Sequence, residues 1–384
     1  MTAEEMPLLQ GKTLPLVPAA PFASALNGSA LGSGKGDEAP RRPLPQTIAH
    51  RGYKAAFPEN SMLAFEQAIA VGAHALETDV HLSKDGVVVL SHDKTLNRCF
   101  SLPDLVSSHD WPYLSTLRTT APPHVPLARL SDLLSYLISS PSLSSSWILL
   151  DIKTDDDPLL LIPAIASTLS SIPPPPNFPP WSERVVLGGW NENWISHLRH
   201  FLPDYPIAYI GFSLLYARKF LDDTKYPNVG FNLLQQSLVG PIGTRFMKHI
   251  KGQKPCTNTQ KEEEGDERKL FVWTVNDEHW MEWCCRKGEK GLIDGVITDD
   301  PKLFKEVCDR YYSPTPPGDG KLVKKTREGR TEEGVVGQVR RYVAAFGIQL
   351  LTLVLVVLWW RRLSTRGGPE KQKRTAGKVV PITS

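Results

Sequence analysis

Between residues 47 and 300 the chain alternates two hydrophobic rhythms. Short apolar runs rich in β-branched residues recur as "TIAHRG" (47–52), "ALETDV" (75–80), "WILLDIK" (147–153), "RVVLGGW" (184–190), "IAYIGF" (207–212), "VGFNLL" (229–234), "LFVWTVN" (270–276) and "DGVITDD" (294–300). Each reads as a strand. Between several of them the apolar residues fall at helical spacing, as with Met62, Phe65 and Ile69 in "SMLAFEQAIAVGA", and likewise in "NWISHLRHFL", "SLLYARKFL" and "EHWMEWCCRKG". Eight strands alternating with helices over about 250 residues predict a (β/α)8 barrel. One run breaks the rhythm. "GVVVLSHD" (86–93) follows "ETDVHLS" too closely for a right-handed crossover between parallel strands, so it is expected to return as a hairpin carrying His92 over the barrel mouth. The Ser-, Leu- and Pro-rich stretch 94–146 is then an insertion after the second strand. "IPPPPNFPPW" (172–181) and residues 251–269 read as surface loops.

The ends follow other patterns. Residues 1–45, rich in Ala, Pro, Gly, Ser and Leu without signal-peptide anatomy, are expected to be a disordered leader. The barrel domain is placed at 46–312 and a basic linker at 313–341. "VAAFGIQLLTLVLVVLWW" (343–360) then carries no charge and is bracketed by Arg340, Arg341, Arg361 and Arg362. Trp359 and Trp360 stand where an aromatic belt belongs. At ~1.5 Å rise per residue the run covers roughly 27 Å, enough to cross a thin membrane. The segment 342–360 is therefore expected to be a C-terminal transmembrane tail anchor, followed by a short basic tail (361–384). Basic residues on both sides leave the orientation open by charge alone.

Composition narrows the function classes. The formal charge is +3, with acids and bases interspersed, which gives no nucleic-acid footprint. The cysteines number 5, none in C-x-x-C spacing, which suits a reducing compartment better than a disulfide framework or zinc site. The lack of an export signal and these thiols together favour a cytosolic barrel anchored to the endoplasmic reticulum, a lipid droplet or the mitochondrial outer membrane. No protein partner can be inferred.

Polar residues inside apolar strands carry the chemistry. Active sites of this fold lie at the C-terminal ends of the strands. His50 and Arg51 end the first strand, Glu77 and Asp79 the second, Asp151 and Lys153 the third. Two carboxylates two apart on one strand share a face and repel. A hard divalent cation, Mg2+ or Ca2+, held by Glu77, Asp79 and Asp151 would offset that repulsion.

The motifs "AHRG", "PEN", "ETDV", "KDG", "SHD", "DIK", "VWTVN" and "DGVITDDP", in this order from about 47 to 301, resemble the glycerophosphodiester phosphodiesterase family. The pattern is most similar to its phosphatidylglycerol-specific phospholipase C branch, which also carries a hydrophobic C-terminal segment. The resemblance implies a metal-dependent phosphodiesterase with His50 and His92 as the general acid/base pair and the three carboxylates as metal ligands. It departs at Asp151, where the family commonly has Glu. One methylene shorter, Asp151 must bring its ligand closer or bind through water.

Arg51 and Lys153 are suited to holding phosphate oxygens. Trp273 is either a substrate platform or barrel core. Glu59 and Asn60 either reach the site or, for Asn60, cap the next helix. His74, His81, His124, His197 and His200 have no motif to place them. The expected function is cleavage of phosphatidylglycerol to diacylglycerol and glycerol phosphate. The alternatives are hydrolysis of soluble glycerophosphodiesters and an inactive membrane-tethered lipid-binding protein.

Overall fold

A computed structural model of the chain describes residues 15–27, 43–252 and 268–312, together with 343, 345, 347, 349 and 350. Eight parallel strands close on themselves. They are β1 (Gln46–His50), β2 (Ala75–Leu82), β3 (Trp147–Ile152), β4 (Val185–Gly189), β5 (Ile207–Gly211), β6 (Gly230–Leu234), β7 (Leu270–Trp273) and β8 (Gly295–Thr298). Neighbours in sequence are neighbours in the sheet, and β8 pairs with β1 to complete the ring. A helix follows each strand: α1 (Met62–Ala70), α2 (Leu130–Leu137), α3 (Pro158–Ser171), α4 (Glu192–Phe201), α5 (Leu214–Asp222), α6 (Gly240–Ile250), α7 (Glu278–Gly288) and α8 (Pro301–Tyr312). The fold is the expected (β/α)8 barrel.

The period-2 alternation of the strands sorts side chains into layers. Ile48, Ala75, Leu149, Val186, Ala208, Phe271 and Ile297 point inward and fill the barrel interior. Their neighbours Ala49, Leu76, Leu150, Leu187 and Val272 point outward and pack under the helices. Two residues further along β1, β2 and β3 the same inward face carries His50, Glu77 and Asp151, and two more along β2 it carries Asp79. Registry brings them level, with His50 opposite Glu77 and Asp79 opposite Asp151. The polar ends of otherwise apolar strands thus become one ring at the mouth.

Val88–Leu90 pairs antiparallel with Val80–Leu82, the expected hairpin return. The stretch 94–146 is more than an insertion, because its second half supplies α2, whose Leu130, Leu133, Leu134 and Leu137 are buried.

The expectation of a disordered leader is corrected where residues are described. Val17, Ala20 and Ala23 are buried, and Leu26–Asn27 pairs with Pro43–Leu44. This segment closes the bottom of the barrel. Gln46 donates to the carbonyls of Phe22 and Ser24 at 2.8 and 2.7 Å, and the Phe22 ring meets Trp147 edge-on at 5.7 Å. Its apolar residues are few and scattered among Pro and Ala, so no periodicity betrays them.

Among the described residues no helix is long and apolar enough to cross a membrane. The membrane helix expected at 342–360 lies outside the described residues except for the helical positions 343, 345, 347, 349 and 350. The linker 313–341 and tail 361–384 lie wholly outside them. Gln349 donates from Nε2 to the carbonyls of Gln236 and Val239 at 2.8 and 3.0 Å. Those carbonyls belong to the loop between β6 and α6, on the mouth side of the barrel.

Candidate active site

The turn after β1 sets the site's first wall. Arg51 and Gly52 adopt positive φ values of 57° and 80°, a left-handed pair that only glycine takes freely. A Cβ on Gly52 would meet the Ala64 backbone carbon at 2.7 Å, so the turn packs directly on α1. Arg51 is held in this conformation because its N–H donates to both the carbonyl and Oε2 of Glu77, each at 2.9 Å.

Glu77, Asp79 and Asp151 are all buried, and one ligand oxygen from each lies within 4.8 Å of the others. Two cations attend them. Lys153 Nζ stands 2.8 Å from Asp79 Oδ1 and 2.7 Å from Asp151 Oδ2, and Arg51 Nε stands 3.1 Å from Asp79 Oδ2. Burial, aided by the charges of Asp79 and Asp151, pushes the Glu77 carboxyl well above the usual carboxylate range despite Arg51 and Lys153. Burial acts on Asp79 as well, but Lys153 and Arg51 overcome it and hold that carboxyl below the range. Three buried acids against two bases leave negative charge in excess, presented as hard oxygen donors. That donor set fits a divalent cation of the Mg2+ or Ca2+ type.

Each motif histidine is anchored through Nδ1. His50 Nδ1 is 2.5 Å from Asp299 Oδ1, and His92 Nδ1 is 2.7 Å from Asp93 Oδ1. A proton on Nδ1 facing the carboxylate leaves Nε2 available to exchange one with a ligand. The His50 Nε2 lies 4.0 Å from Glu77 Oε2. Burial and the nearby Arg51 and Lys153 charges lower the His92 pKa against the pull of Asp79. Asp299 is brought down to about 2, since His50 and Lys54 outweigh its burial.

The remaining expected residues divide clearly. Asn60 is buried, donates to Asp79 Oδ2 at 2.9 Å and accepts from the Thr78 hydroxyl at 2.8 Å. It does not cap α1; Ser61 does. Glu59 accepts from Arg51 at 2.9 Å. Trp273 is half-buried at the end of β7, donates to the Asn232 carbonyl at 3.0 Å and meets Trp190 edge-on at 6.0 Å. It therefore lines the mouth while packing on the apolar interior beneath it.

Sequence reasoning missed three partners. Trp190, just past β4, donates to Asp151 Oδ1 at 2.6 Å. Its position two residues beyond the inward Gly188 of "RVVLGGW" was the available signal. Asp299 stood in a quoted motif without a role. His81 is buried behind the site, with Nδ1 2.6 Å from Asp156 and Nε2 3.3 Å from the His92 carbonyl. Asp156 raises its pKa against the effect of burial. Nothing in the alternation of β2 distinguished it from a packed histidine.

Fold and site together define a (β/α)8-barrel protein whose mouth joins a hard-metal acid cluster to two carboxylate-anchored histidines. Residues 50–158 match the model of the glycerophosphoryl diester phosphodiesterase family. Over 268 residues the chain is 27% identical to a glycerophosphodiester phosphodiesterase of Caldanaerobacter subterraneus, an alignment covering 67% of this chain and 95% of that protein. A second glycerophosphodiester phosphodiesterase, from Bacillus altitudinis, is 43% identical over 68 residues, 18% of this chain. The chain spans only 28% of the length of that relative. Among solved structures, an Oleispira antarctica phosphodiesterase in complex with the product sn-glycerol-3-phosphate superposes with a TM-score of 0.54 at 19% identity, covering 69% of this chain and 97% of that one. At this identity the likeness concerns the barrel.

Proposed function

We propose that the protein is a metal-dependent phosphodiesterase that hydrolyses the phosphodiester bond of glycerophosphodiesters, with His50 and His92 as its general acid/base pair. The observation that carries this reading is the pairing of an overcharged buried acid cluster with two histidines, each held at Nδ1 by its own aspartate. The match to the family model and the naming of similar proteins support the same substrate class.

Glu77, Asp79 and Asp151 would hold the ion. When bound, a hard divalent cation supplies Lewis-acid neutralisation of phosphoryl charge. The chain's own residues do the rest. Arg51 and Lys153 present N–H donors for the phosphate oxygens beside the acids they now contact. One histidine takes the proton of the attacking hydroxyl at Nε2, and the other gives a proton to the departing oxygen. In a glycerol ester the hydroxyl next to the phosphate-bearing carbon is tethered within reach. Its attack gives a cyclic phosphate, which water then opens. Tethering contributes several kcal/mol of the barrier reduction, as expected for an intramolecular nucleophile.

Within this class we take the lipid phosphatidylglycerol as the substrate, cleaved to diacylglycerol and glycerol phosphate. Apolar side chains near the mouth support this. Phe212 directly follows β5 at 39% exposure, and Leu215 and Ile242 lie in the first turns of α5 and α6 at 63% and 77%. The Ser237 hydroxyl donates to the Phe212 carbonyl and joins the two loops, and Gln349 brings the start of the chargeless C-terminal run to the same loop. A cytosolic barrel anchored by that run would present its mouth to the adjacent leaflet. A soluble glycerophosphodiester satisfies the same chemistry. The deciding experiment is a product assay on phosphatidylglycerol vesicles and on glycerophosphocholine, each with and without chelator. Chelator-sensitive release of diacylglycerol supports the lipid reading, and turnover of glycerophosphocholine alone moves it to the soluble class. No turnover of either leaves only a lipid-binding protein.

A further inference from the structure

The short helix Asn97–Phe100 opens the stretch between the hairpin strand and α2, and its Arg98 spans two carboxylates. Nε donates to Asp93 Oδ2 at 2.7 Å, while the two terminal nitrogens donate to the two oxygens of Glu59 at 2.7 and 2.8 Å. Each carboxylate has a second duty. Asp93 holds Nδ1 of His92 at 2.7 Å, and Glu59 accepts from Arg51 at 2.9 Å. The helix is itself fixed from below, since Leu96 is buried and donates its N–H to the Asp104 carbonyl.

We propose that Arg98 is a positioning residue: through Asp93 it sets the ring of His92, and through Glu59 it sets the guanidinium of Arg51. The proposal rests on His92 and Arg51 acting as described above. It makes the insertion part of the catalytic apparatus. The chemistry favours geometry over stability as the reason for the contact. Arg98 is about half exposed, and ion pairs of that exposure add little to folding. Without it, Asp93 keeps only His92 and Glu59 only Arg51, and each carboxylate is free to turn and carry its partner out of place. Only a planar fork with several donors engages both at once; an ammonium at the same place is a single point of charge.

The test uses the full-length protein with Arg98→Ala and Arg98→Lys, each alone and combined with Asp93→Ala or Glu59→Ala, on whichever glycerophosphodiester it turns over. Arg98→Ala is expected to lower kcat about tenfold or more and to raise KM severalfold, with an unchanged melting temperature. With Asp93 already replaced, the further kcat loss should vanish to within about twofold while the KM increase persists; with Glu59 replaced, the reverse. Arg98→Lys should recover at most one of the two effects. Losses that multiply unchanged in both backgrounds, or full rescue by lysine, overturn the proposal. Long-range proton–nitrogen spectra of the imidazoles test it independently of turnover. His92 should hold a single tautomer protonated at Nδ1 in the parent and lose it in Arg98→Ala. If the parent turns over no glycerophosphodiester, the functional reading falls, and unchanged His92 spectra would remove the positioning role as well.

Discussion

Two buried carboxylate sites lie at opposite ends of this barrel and are built on opposite rules. At the bottom, Asp294 accepts from Lys251 Nζ at 2.5 Å, from the Leu270 N–H at 2.7 Å and from the Ala25 N–H at 3.3 Å. One acid meets one base, and its oxygens are occupied. At the mouth, Glu77, Asp79 and Asp151 share Lys153 and Arg51, and burial together with the neighbouring acids pushes Glu77 toward its neutral form. A buried pair that balances stays where it is and serves the fold. A buried cluster left unbalanced is held together by the surrounding barrel and awaits a positive ligand.

Function should therefore fail from the top and stability from the bottom. The largest effect is expected for His50→Ala or His92→Ala, with turnover falling by roughly 10²–10⁴-fold while the circular dichroism spectrum and melting point hold. Chelation should produce an equal loss, restored by Mg2+ or Ca2+. Full activity in excess chelator would remove the asymmetry between the two ends. Next comes Asp294→Ala, which strands Lys251 as a buried unpaired charge and should cost about 3–5 kcal/mol in denaturant unfolding. The matching change at the mouth, Glu77→Gln in metal-free protein, should shift stability by no more than about 1 kcal/mol, because it replaces a carboxyl already pushed toward its neutral form with a neutral amide of the same shape.

A third expectation concerns acid. His74, between α1 and β2, accepts from the Thr47 N–H at 2.9 Å, and burial, with Lys305, lowers its pKa from 6.5 to about 4. The unfolded chain binds more protons between these values. Stability is thus fully present above about pH 6.5 and is lost as pH falls toward 4, by roughly 3 kcal/mol. The chemical unfolding of His74→Gln should lack that slope. A modest effect is expected for Trp190→Phe, which removes the 2.6 Å donor to Asp151 and should weaken metal affinity roughly tenfold by calorimetry.

The strands were legible because each is a short apolar run whose alternation a barrel requires, and the mouth residues because acids interrupt those runs. Asp151 could be read from "WILLDIK" alone. Trp190 and Trp273 could not be separated from core tryptophans by type, since an indole suits either place and only ring closure brings these two together. Arg98 lay five residues beyond a run that had already yielded its histidine, and its value depends on Glu59, 39 positions away. The bottom segment was illegible for a related reason: Val17, Ala20 and Ala23 are buried in clusters made largely of residues far along the chain.

That bottom segment bears on how the chain is made. Arg199 donates to the Pro15 carbonyl, Asn228 to that of Val17, and the Ala25 N–H to Asp294, with sequence separations of 184, 211 and 269 residues. This segment is secured by barrel elements that are synthesised well after it. Until β8 emerges, β1 has β2 on one side and nothing on the other, an open strand edge available to any extended segment it meets. Contacts of such long range also place the molecule among slow folders. Nascent chains should therefore depend on chaperones throughout most of their synthesis and become independent only when the last barrel strand clears the ribosome.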